Sequence, residues 1–141
     1  MGGDIIYLDN AATSYPKPES VYQAMNNYLR DAGVSPGRGS YNRAEEAEKI
    51  VEMTRSLLGQ LFNIEQAKQI IFTSNVTEAL NLALKGLIEE GDHIITSQME
   101  HNAMWRPLKA LEEKRDIDLT VISCPEGKPL SAKDLEEAIT I

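Results

Sequence analysis

A change in hydrophobic period along the chain sets the strongest limit on its fold. From residue 69 onward, short apolar and β-branched runs occur at 69–73 (QIIFT), 93–97 (HIITS) and 117–123 (IDLTVIS). Runs of this length and composition are typical of strands buried on both faces of a parallel sheet. Because helical patterns of roughly a dozen residues separate them, the sequence predicts an α/β fold built from parallel βαβ units.

Two helices are predicted before the first strand. One begins with Pro18 as its first residue and ends at Gly33, because proline suits the first helical position and glycine the end. The other is opened by an Asn42-x-x-Glu45 capping pattern, carries an apolar stripe from 47 to 61, and ends near Asn63. Residues 1–17, which end in YPKP, are predicted to form an extended arm.

Further helices are predicted between and after the strands. Gly91 should stop the first of them, Asn102 should cap the second, which runs to about Lys114, and Ser131 with Asp134 should cap the last. The strands are too few for the helices of a closed fold. The sheet is therefore expected to be incomplete, and the chain to be an N-terminal piece of a larger protein.

Charge and composition exclude several classes of function. The formal net charge of −8 offers no basic face for nucleic acid. Apolar stretches are too short for a membrane span, so a cytoplasmic protein is expected. The single cysteine, Cys124, allows no intramolecular disulfide, and with two histidines a structural zinc site is hard to assemble, so no metal is expected. Cys124 is interpreted as a half-buried residue at a strand end rather than a nucleophile.

The stretch TSNVTEALN at 73–81 has two open interpretations. As a capping box, the Asn75 side chain binds a first-turn amide and Glu78 reaches back to the amide of Asn75. The same geometry leaves the amides of Val76 and Thr77, and nearby hydroxyl groups, free to bind an anion such as a phosphate. There is no Gly-rich phosphate loop with its lysine to decide between them.

His101 lies in the loop SQMEHNA at 97–103, after the second predicted strand. This loop should share the sheet edge of Thr77, where open α/β sheets bind ligands. His101 is therefore either a surface or capping residue, or an imidazole that stacks on an aromatic ligand or transfers a proton. His93, which begins a strand, is interpreted as structural.

Four ordered motifs give the chain a family resemblance: IYLDNAAT at 6–13, SPGRGSY at 35–41, IIFTSNVTEALN at 70–81 and GDHIITSQMEHNAMWRPL at 91–108. Together they resemble the cysteine desulfurases and their relatives among the class V aminotransferases, which are fold-type I enzymes that use pyridoxal 5′-phosphate (PLP). The resemblance covers nearly the whole chain, but only roughly the first third of such an enzyme. It implies that 18–141 form the first part of the large PLP-binding domain of a homodimer.

The resemblance also implies roles for particular residues. Val76 and Thr77 match the positions that hold the cofactor phosphate, beside Asn75 in the same turn. His101 matches the histidine that stacks on the pyridine ring and is a candidate acid or base. Asn10 matches an arm residue at the substrate end of the pocket, and Arg38 lies in a loop that approaches the active site near the dimer interface.

The implied reaction is desulfuration of L-cysteine to L-alanine with a protein-bound persulfide, which a sulfur-acceptor protein would take up. Selenocysteine lyase, kynureninase-like and aminotransferase activities are alternatives within the family, and a non-catalytic, self-associating fragment is one outside it.

The chain departs from the family pattern in several places. The family usually has Gly and Ala where Asn75 and Val76 stand. The lysine of a Ser-x-His-Lys context, which binds the cofactor covalently, is absent, as are the aspartate that pairs with the pyridine nitrogen and the late sulfur-accepting cysteine. Lys85 and Lys109 fall inside helical patterns, and Cys124 comes too early. The 141 residues alone are therefore expected to be inactive and not to retain PLP.

Overall fold

The structure is a computed structural model that describes residues 6–126 and 128–139. Its contacts divide the chain into two compact units, Met1–Ile71 and Phe72–Ile141. Among the helices of the described residues, none is long and apolar enough to cross a bilayer.

The first unit is helical. Helix α1 spans Glu19–Asn27 and continues into a π-helical turn, Tyr28–Ala32. Gly33 ends it in the left-handed conformation at φ 58°, where an added Cβ would lie 2.9 Å from the carbonyl oxygen of Leu29. A glycine is required there. The prediction for Pro18 was one residue early: its ψ of 143° is not helical, so it precedes the helix instead of starting it.

Helix α2 spans Asn42–Phe62 and ends at Asn63, which is left-handed as a helix end should be and lies where the sequence predicted. The predicted cap was wrong. Tyr41, not Asn42, is the N-cap, and no side chain caps the first turn. The chain is already helical at Asn42, so its side chain cannot reach forward to the first-turn amides as a cap residue does.

The predicted apolar stripe of α2 is largely exposed in the first unit. Ala47 is buried, whereas Ile50, Leu57 and Leu61 are 41%, 57% and 72% exposed. Within its own unit, α2 packs against the π-helical turn and a 3-10 turn at Ala67–Gln69. These turns are too short to cover a helix of 21 residues.

The second unit contains the βαβ arrangement. In chain order its elements are α3 (Val76–Leu87), β1 (His93–Ser97), α4 (Asn102–Arg115), β2 (Asp118–Ile122) and α5 (Ala132–Ala138). Strands β1 and β2 pair in parallel, with His93 opposite Asp118 and Ser97 opposite Ile122. This confirms the predicted α/β class with an incomplete parallel sheet.

A small apolar core holds the second unit together. Leu108 on α4 is 1% exposed and packs with three other buried residues, Ile88, Leu111 and Ile117. Helices α3 and α4 pack against each other, and α4 packs on β2. Cys124 follows β2 and is half-buried. His93 bonds through Nε2 to the Thr120 hydroxyl across the sheet, at 2.8 Å.

Two expectations about the strands and helix ends were wrong. The run at 69–73 forms no strand in the described part of the chain. Instead of a sheet partner, the carbonyl of Ile70 accepts a hydrogen bond from Arg55 Nε at 3.2 Å. Helix α3 ends at Leu87, before Gly91, because Ile88 turns extended and is buried in the core; Gly91 lies in the following turn at φ 83°.

Candidate functional site

The start of α3 is capped by Asn75, as the sequence predicted. Its backbone is extended, at φ −165° and ψ 167°, and its Oδ1 accepts a hydrogen bond from the amide of Glu78 at 2.9 Å. The next amide, that of Ala79, donates to the Asn75 carbonyl. In the described structure no hydrogen bond uses the amides of Val76 and Thr77. They are the donors that a helix start offers to an anion.

Glu78 completes the cap, but not with the predicted partner. Its Oε2 accepts hydrogen bonds from the amide of Ser74 at 3.0 Å and from the Ser74 hydroxyl at 2.5 Å, and not from the amide of Asn75. Ser74 offers two donors to one oxygen, which favours it over a single amide. The Ser74 hydroxyl, and then its amide, lower the pKa of the Glu78 carboxyl below its ordinary value. A carboxylate therefore occupies the donors of Ser74.

His101 caps the start of α4. Its Nδ1 accepts a hydrogen bond from the amide of Ala103 at 3.1 Å, and Asn102, the predicted cap, is the first helical residue. The imidazole replaces the asparagine because its ring nitrogen reaches the amide two residues on. Since Nδ1 accepts, the neutral ring carries its hydrogen on Nε2.

One cavity of about 620 Å³ brings the two helix starts together. Thr77 lines it from α3 and His101 from the start of α4. Asn81 lies one turn beyond Thr77 and donates from Nδ2 to the Thr77 carbonyl at 2.9 Å. Val76 and Asn75 are not among the lining residues, and the Val76 side chain is 66% exposed. The wall of the cavity at this helix start is therefore formed by Thr77, and Val76 keeps an unused amide beside it.

The two predicted substrate-side residues lie in the first unit. Asn10 is exposed, and its side chain holds the turn of the arm: Oδ1 accepts from the Tyr15 amide and Nδ2 donates to the Tyr7 carbonyl, each at 3.3 Å. Arg38 is exposed in the loop between the π-helical turn and α2. Thr77 and His101 belong to the second unit.

Sequence reasoning missed the basic side chains of this cavity. Lys85, Arg106, Lys114 and Arg115 all line it. A signal for one of them is present: Thr77, Asn81 and Lys85 recur every four residues and so share one face of α3. The α4 residues could not be assigned to the same cavity without knowing how the helices pack.

Comparison with known proteins identifies the family of the chain. The family model described as aminotransferase class V matches residues 6–141. The chain belongs to this family. A cysteine desulfurase IscS of Buchnera aphidicola is 36% identical over 140 residues, which are 95% of this chain and 34% of that protein. A probable cysteine desulfurase of Methanothermobacter thermautotrophicus is 31% identical over 137 residues. The chain thus spans about a third of the length of these relatives.

Solved structures agree with the family assignment. The apo structure of a cysteine desulfurase from Thermococcus onnurineus aligns with a TM-score of 0.81 at 29% identity, over 95% of this chain and 34% of that one. At 21% identity, C-DES with glycine covalently linked to its PLP cofactor aligns with a TM-score of 0.63, over 86% of this chain and 31% of that one. This second likeness concerns the fold alone. The resemblance to cysteine desulfurases is confirmed, and with it the fold class.

Proposed function

We propose that the start of α3 and His101 supply the phosphate-binding end of a PLP site in a cysteine desulfurase. The whole enzyme would convert L-cysteine to L-alanine, leave the sulfur on the protein as a persulfide, and pass it to a sulfur-acceptor protein. We further propose that the enzyme is a homodimer, with Asn10 and Arg38 on the substrate side of its site.

One observation carries the proposal. Thr77, in the first turn of α3, and His101, the N-cap of α4, line the same cavity. The unused amides of Val76 and Thr77 lie at the positive end of α3, which attracts an anion. An imidazole on the other wall offers a flat surface and a proton. A phosphate joined to an aromatic ring is the kind of ligand that uses both features.

The donor set fits the phosphate end of PLP. Val76 and Thr77 would hold the phosphate through their amides and the Thr77 hydroxyl, while the Ser74 donors stay with Glu78. When bound, PLP supplies an electron sink for the α-carbon of the amino-acid substrate. His101 would lie against the ring.

The cap at α4 decides which nitrogen of His101 is available to a ligand. Nδ1 is engaged by the Ala103 amide, so Nε2 is the free nitrogen. In the neutral ring Nε2 carries a hydrogen and is a donor. We therefore propose that His101 first acts as a hydrogen-bond donor at Nε2. To act as an acid or as a base, the ring must give up its bond to Ala103, because either role needs a hydrogen on Nδ1.

Substitution of Thr77 tests the phosphate contact in the enzyme that contains these residues. Thr77→Val removes one hydroxyl donor to a charged group, which is worth about tenfold in affinity. The PLP concentration that restores half-maximal L-alanine formation from L-cysteine should rise by about that factor. Thr54→Val is the matched control, because Thr54 is an exposed helical threonine of the first unit whose hydroxyl donates to the Ile50 carbonyl. Equal PLP requirements for Thr77→Val and the unaltered enzyme would contradict the proposal.

The 141-residue chain by itself provides a second test. Lys85 lines the cavity of Thr77 and His101 but lies within α3, outside the Ser-x-His-Lys context of the family. Treatment with PLP and borohydride, followed by peptide mass spectrometry, should give no stoichiometric adduct at a single lysine. Stoichiometric trapping at Lys85 would refute the expectation that no lysine of the chain is placed to bind PLP covalently. Formation of L-alanine by the chain would refute its expected inactivity.

Exposed apolar residues favour a second candidate, self-association of the chain. Met53, Leu57, Leu61 and Phe62 on α2 are each more than half exposed. Burying them against a second copy would remove apolar surface from water. Sedimentation over a range of concentrations measures the oligomeric state of the chain. A monomer at every concentration would exclude self-association.

A further inference from the structure

Gln98 ties the loop that carries His101 to the end of β2. Its amide donates to the carbonyl of Ile122, the last residue of that strand, at 3.0 Å. Its side-chain oxygen Oε1 accepts from the amide of Cys124 at 3.1 Å and from the Ser123 hydroxyl at 3.2 Å. A backbone amide can only donate, so the side-chain atom that it meets is the oxygen. Both the main chain and the side chain of Gln98 therefore hold the end of β2.

The bond to Oε1 takes the place of a main-chain bond of the sheet. In the hydrogen-bond ladder between parallel strands, a residue that donates to one carbonyl of its neighbour accepts from the amide two residues further along. Gln98 donates to Ile122, so its own carbonyl is the acceptor expected for Cys124. The ladder begins in the expected way, since the Asp118 amide donates to the carbonyl of Asp92 at 2.9 Å. At Gln98, however, the side chain continues the ladder after the main chain has left it.

This exchange frees the main chain to turn toward α4 directly after β1. His101, three residues further on, is the N-cap of that helix. The Met99 amide, which lies between them, bonds back to the Ser97 hydroxyl at 3.3 Å. The described structure has no hydrogen bond from the amide of Glu100 or from that of His101. Among the described residues of this loop, Gln98 thus provides the last connection to β2 before His101.

On its other side, His101 is held by α4. Its Nδ1 accepts from the Ala103 amide at 3.1 Å, and its carbonyl accepts from the amides of Met104 and Trp105. Ala103 is buried, so the first turn of the helix is anchored in the second unit. These bonds orient the ring on its helix. Because helix ends fray, an N-cap also needs a hold on the chain that precedes it, and Gln98 supplies that hold.

We propose that Gln98 is a positioning residue for His101. By accepting the ladder bond with its side chain, it keeps the loop against β2 and holds the His101 ring at the cavity that Thr77 also lines. Gln98 is not among the lining residues of this cavity, so it acts through His101 and not on a ligand. The inference rests on the proposed function only for the use that a ligand makes of the ring. The positioning itself is measurable without a ligand.

NMR of the ¹⁵N-labelled 141-residue chain tests this role. Gln98→Met keeps a side chain of similar length without the oxygen, whereas Gln98→Glu keeps an oxygen that accepts from the same two donors. In Gln98→Met the Cys124 amide should exchange about fivefold faster with solvent, which corresponds to one lost hydrogen bond. The order parameters of the amides at 99–101 should fall from about 0.85 to below about 0.6. Gln98→Glu should retain both values.

Gln23→Met is the matched control, because Gln23 is an exposed glutamine of α1 in the first unit. It should change neither the exchange of Cys124 nor the order of 99–101. A purely stabilising role of Gln98 would speed the exchange in Gln98→Met but leave the order of 99–101 unchanged. That result would overturn the proposal, as would an equal loss of order in Gln98→Glu or Gln23→Met.

Added ligands separate this role from the proposed function. With PLP, the shift of the His101 ring should be smaller in Gln98→Met than in the unaltered chain. Inorganic phosphate should shift the amides of Val76 and Thr77 equally in both, because Gln98 does not reach the start of α3. A ring shift as large in Gln98→Met as in the unaltered chain would contradict the positioning role. Phosphate that shifts neither amide in the unaltered chain would count against the proposed function, and the order parameters would still decide the role of Gln98.

Discussion

Replacing Asn75 by alanine removes the side chain that begins α3. The main bond lost is the one from the Glu78 amide to Asn75 Oδ1, which measures 2.9 Å; a second bond, from Asn75 Nδ2 to the Ser74 hydroxyl at 3.2 Å, is lost with it. The position is exposed, so water can reach the released amide and no buried donor is left unpaired. The cost should therefore lie near the middle of the range for N-cap asparagines, about 1 kcal/mol.

Glycine at the same position should cost much less, only a few tenths of a kcal/mol in general for an N-cap. The Asn75 backbone is extended, at φ −165°, which glycine adopts without strain, and the bare backbone lets water solvate the first-turn amides. Glycine is also the residue that the resemblance implies for this position. Asn75→Ala and Asn75→Gly thus separate the side-chain cap from the shape of the turn.

Hydrogen exchange of the α3 amides measures this difference locally, which matters because the chain has two units and its global unfolding need not be two-state. Asn75→Ala should speed exchange throughout the first turns of α3 by about fivefold, which corresponds to about 1 kcal/mol. Asn75→Gly should change it by less than about twofold. If Asn75→Gly proved as damaging as Asn75→Ala, or if Asn75→Ala had no effect, the side-chain cap would not be what holds the helix start.

Other expected outcomes concern the core, the carboxylate at α3 and the contact between α3 and α4. Leu108→Ala should destabilise the second unit by about 3 kcal/mol in urea, because its side chain is fully buried, whereas Leu87→Ala, with 78% exposure, should cost less than about 0.5 kcal/mol; similar costs would refute the described core. Because the pKa of Glu78 is lowered on folding, its stabilisation should be complete above the ordinary carboxyl pKa and disappear as the pH falls through the lowered value. Glu78→Gln should flatten that part of the stability profile, and an unchanged profile would contradict the contact with Ser74. Arg115→Ala should speed amide exchange in the last turn of α3 but not its first, because the guanidinium holds the carbonyls of Lys85 and Ile88; equal effects at both ends would argue against that contact.

Much of the fold could be predicted because local signals decide it. The 3.6-residue period and the residues at the ends located α2 and α4 to within a residue or two. The two β-branched runs at 93–97 and 117–123 became the parallel strands β1 and β2. Asn75 and Ser131 both accept the first-turn hydrogen bonds that their positions predicted. For the helices and their caps, the hydrogen-bond partner lies within four residues along the chain.

The errors arose where a residue chooses among nearby or distant partners. Glu78 bonds Ser74 rather than the neighbouring residue, and His101 replaces Asn102 as a cap, because a side chain can reach several amides of one turn. The run at 69–73 lacks a strand, since a strand requires a paired neighbour that composition does not reveal. The cavity beside Thr77 and His101 depends on helix packing, which brings residues about thirty positions apart into contact, as Arg115 and Lys85 are.

The central claim is that the start of α3 and His101 form the phosphate end of a PLP site. Its most direct test is a ¹⁵N-resolved NMR titration of the chain with PLP, with pyridoxal, which lacks the phosphate, and with inorganic phosphate. Because the chain is not expected to retain PLP, binding should be weak and saturate only at millimolar concentration. PLP and inorganic phosphate should shift the amides of Val76 and Thr77, PLP should also shift the His101 ring, and pyridoxal should leave Val76 and Thr77 unchanged. Equal shifts with pyridoxal, or none at Val76 and Thr77 with PLP, would contradict the account.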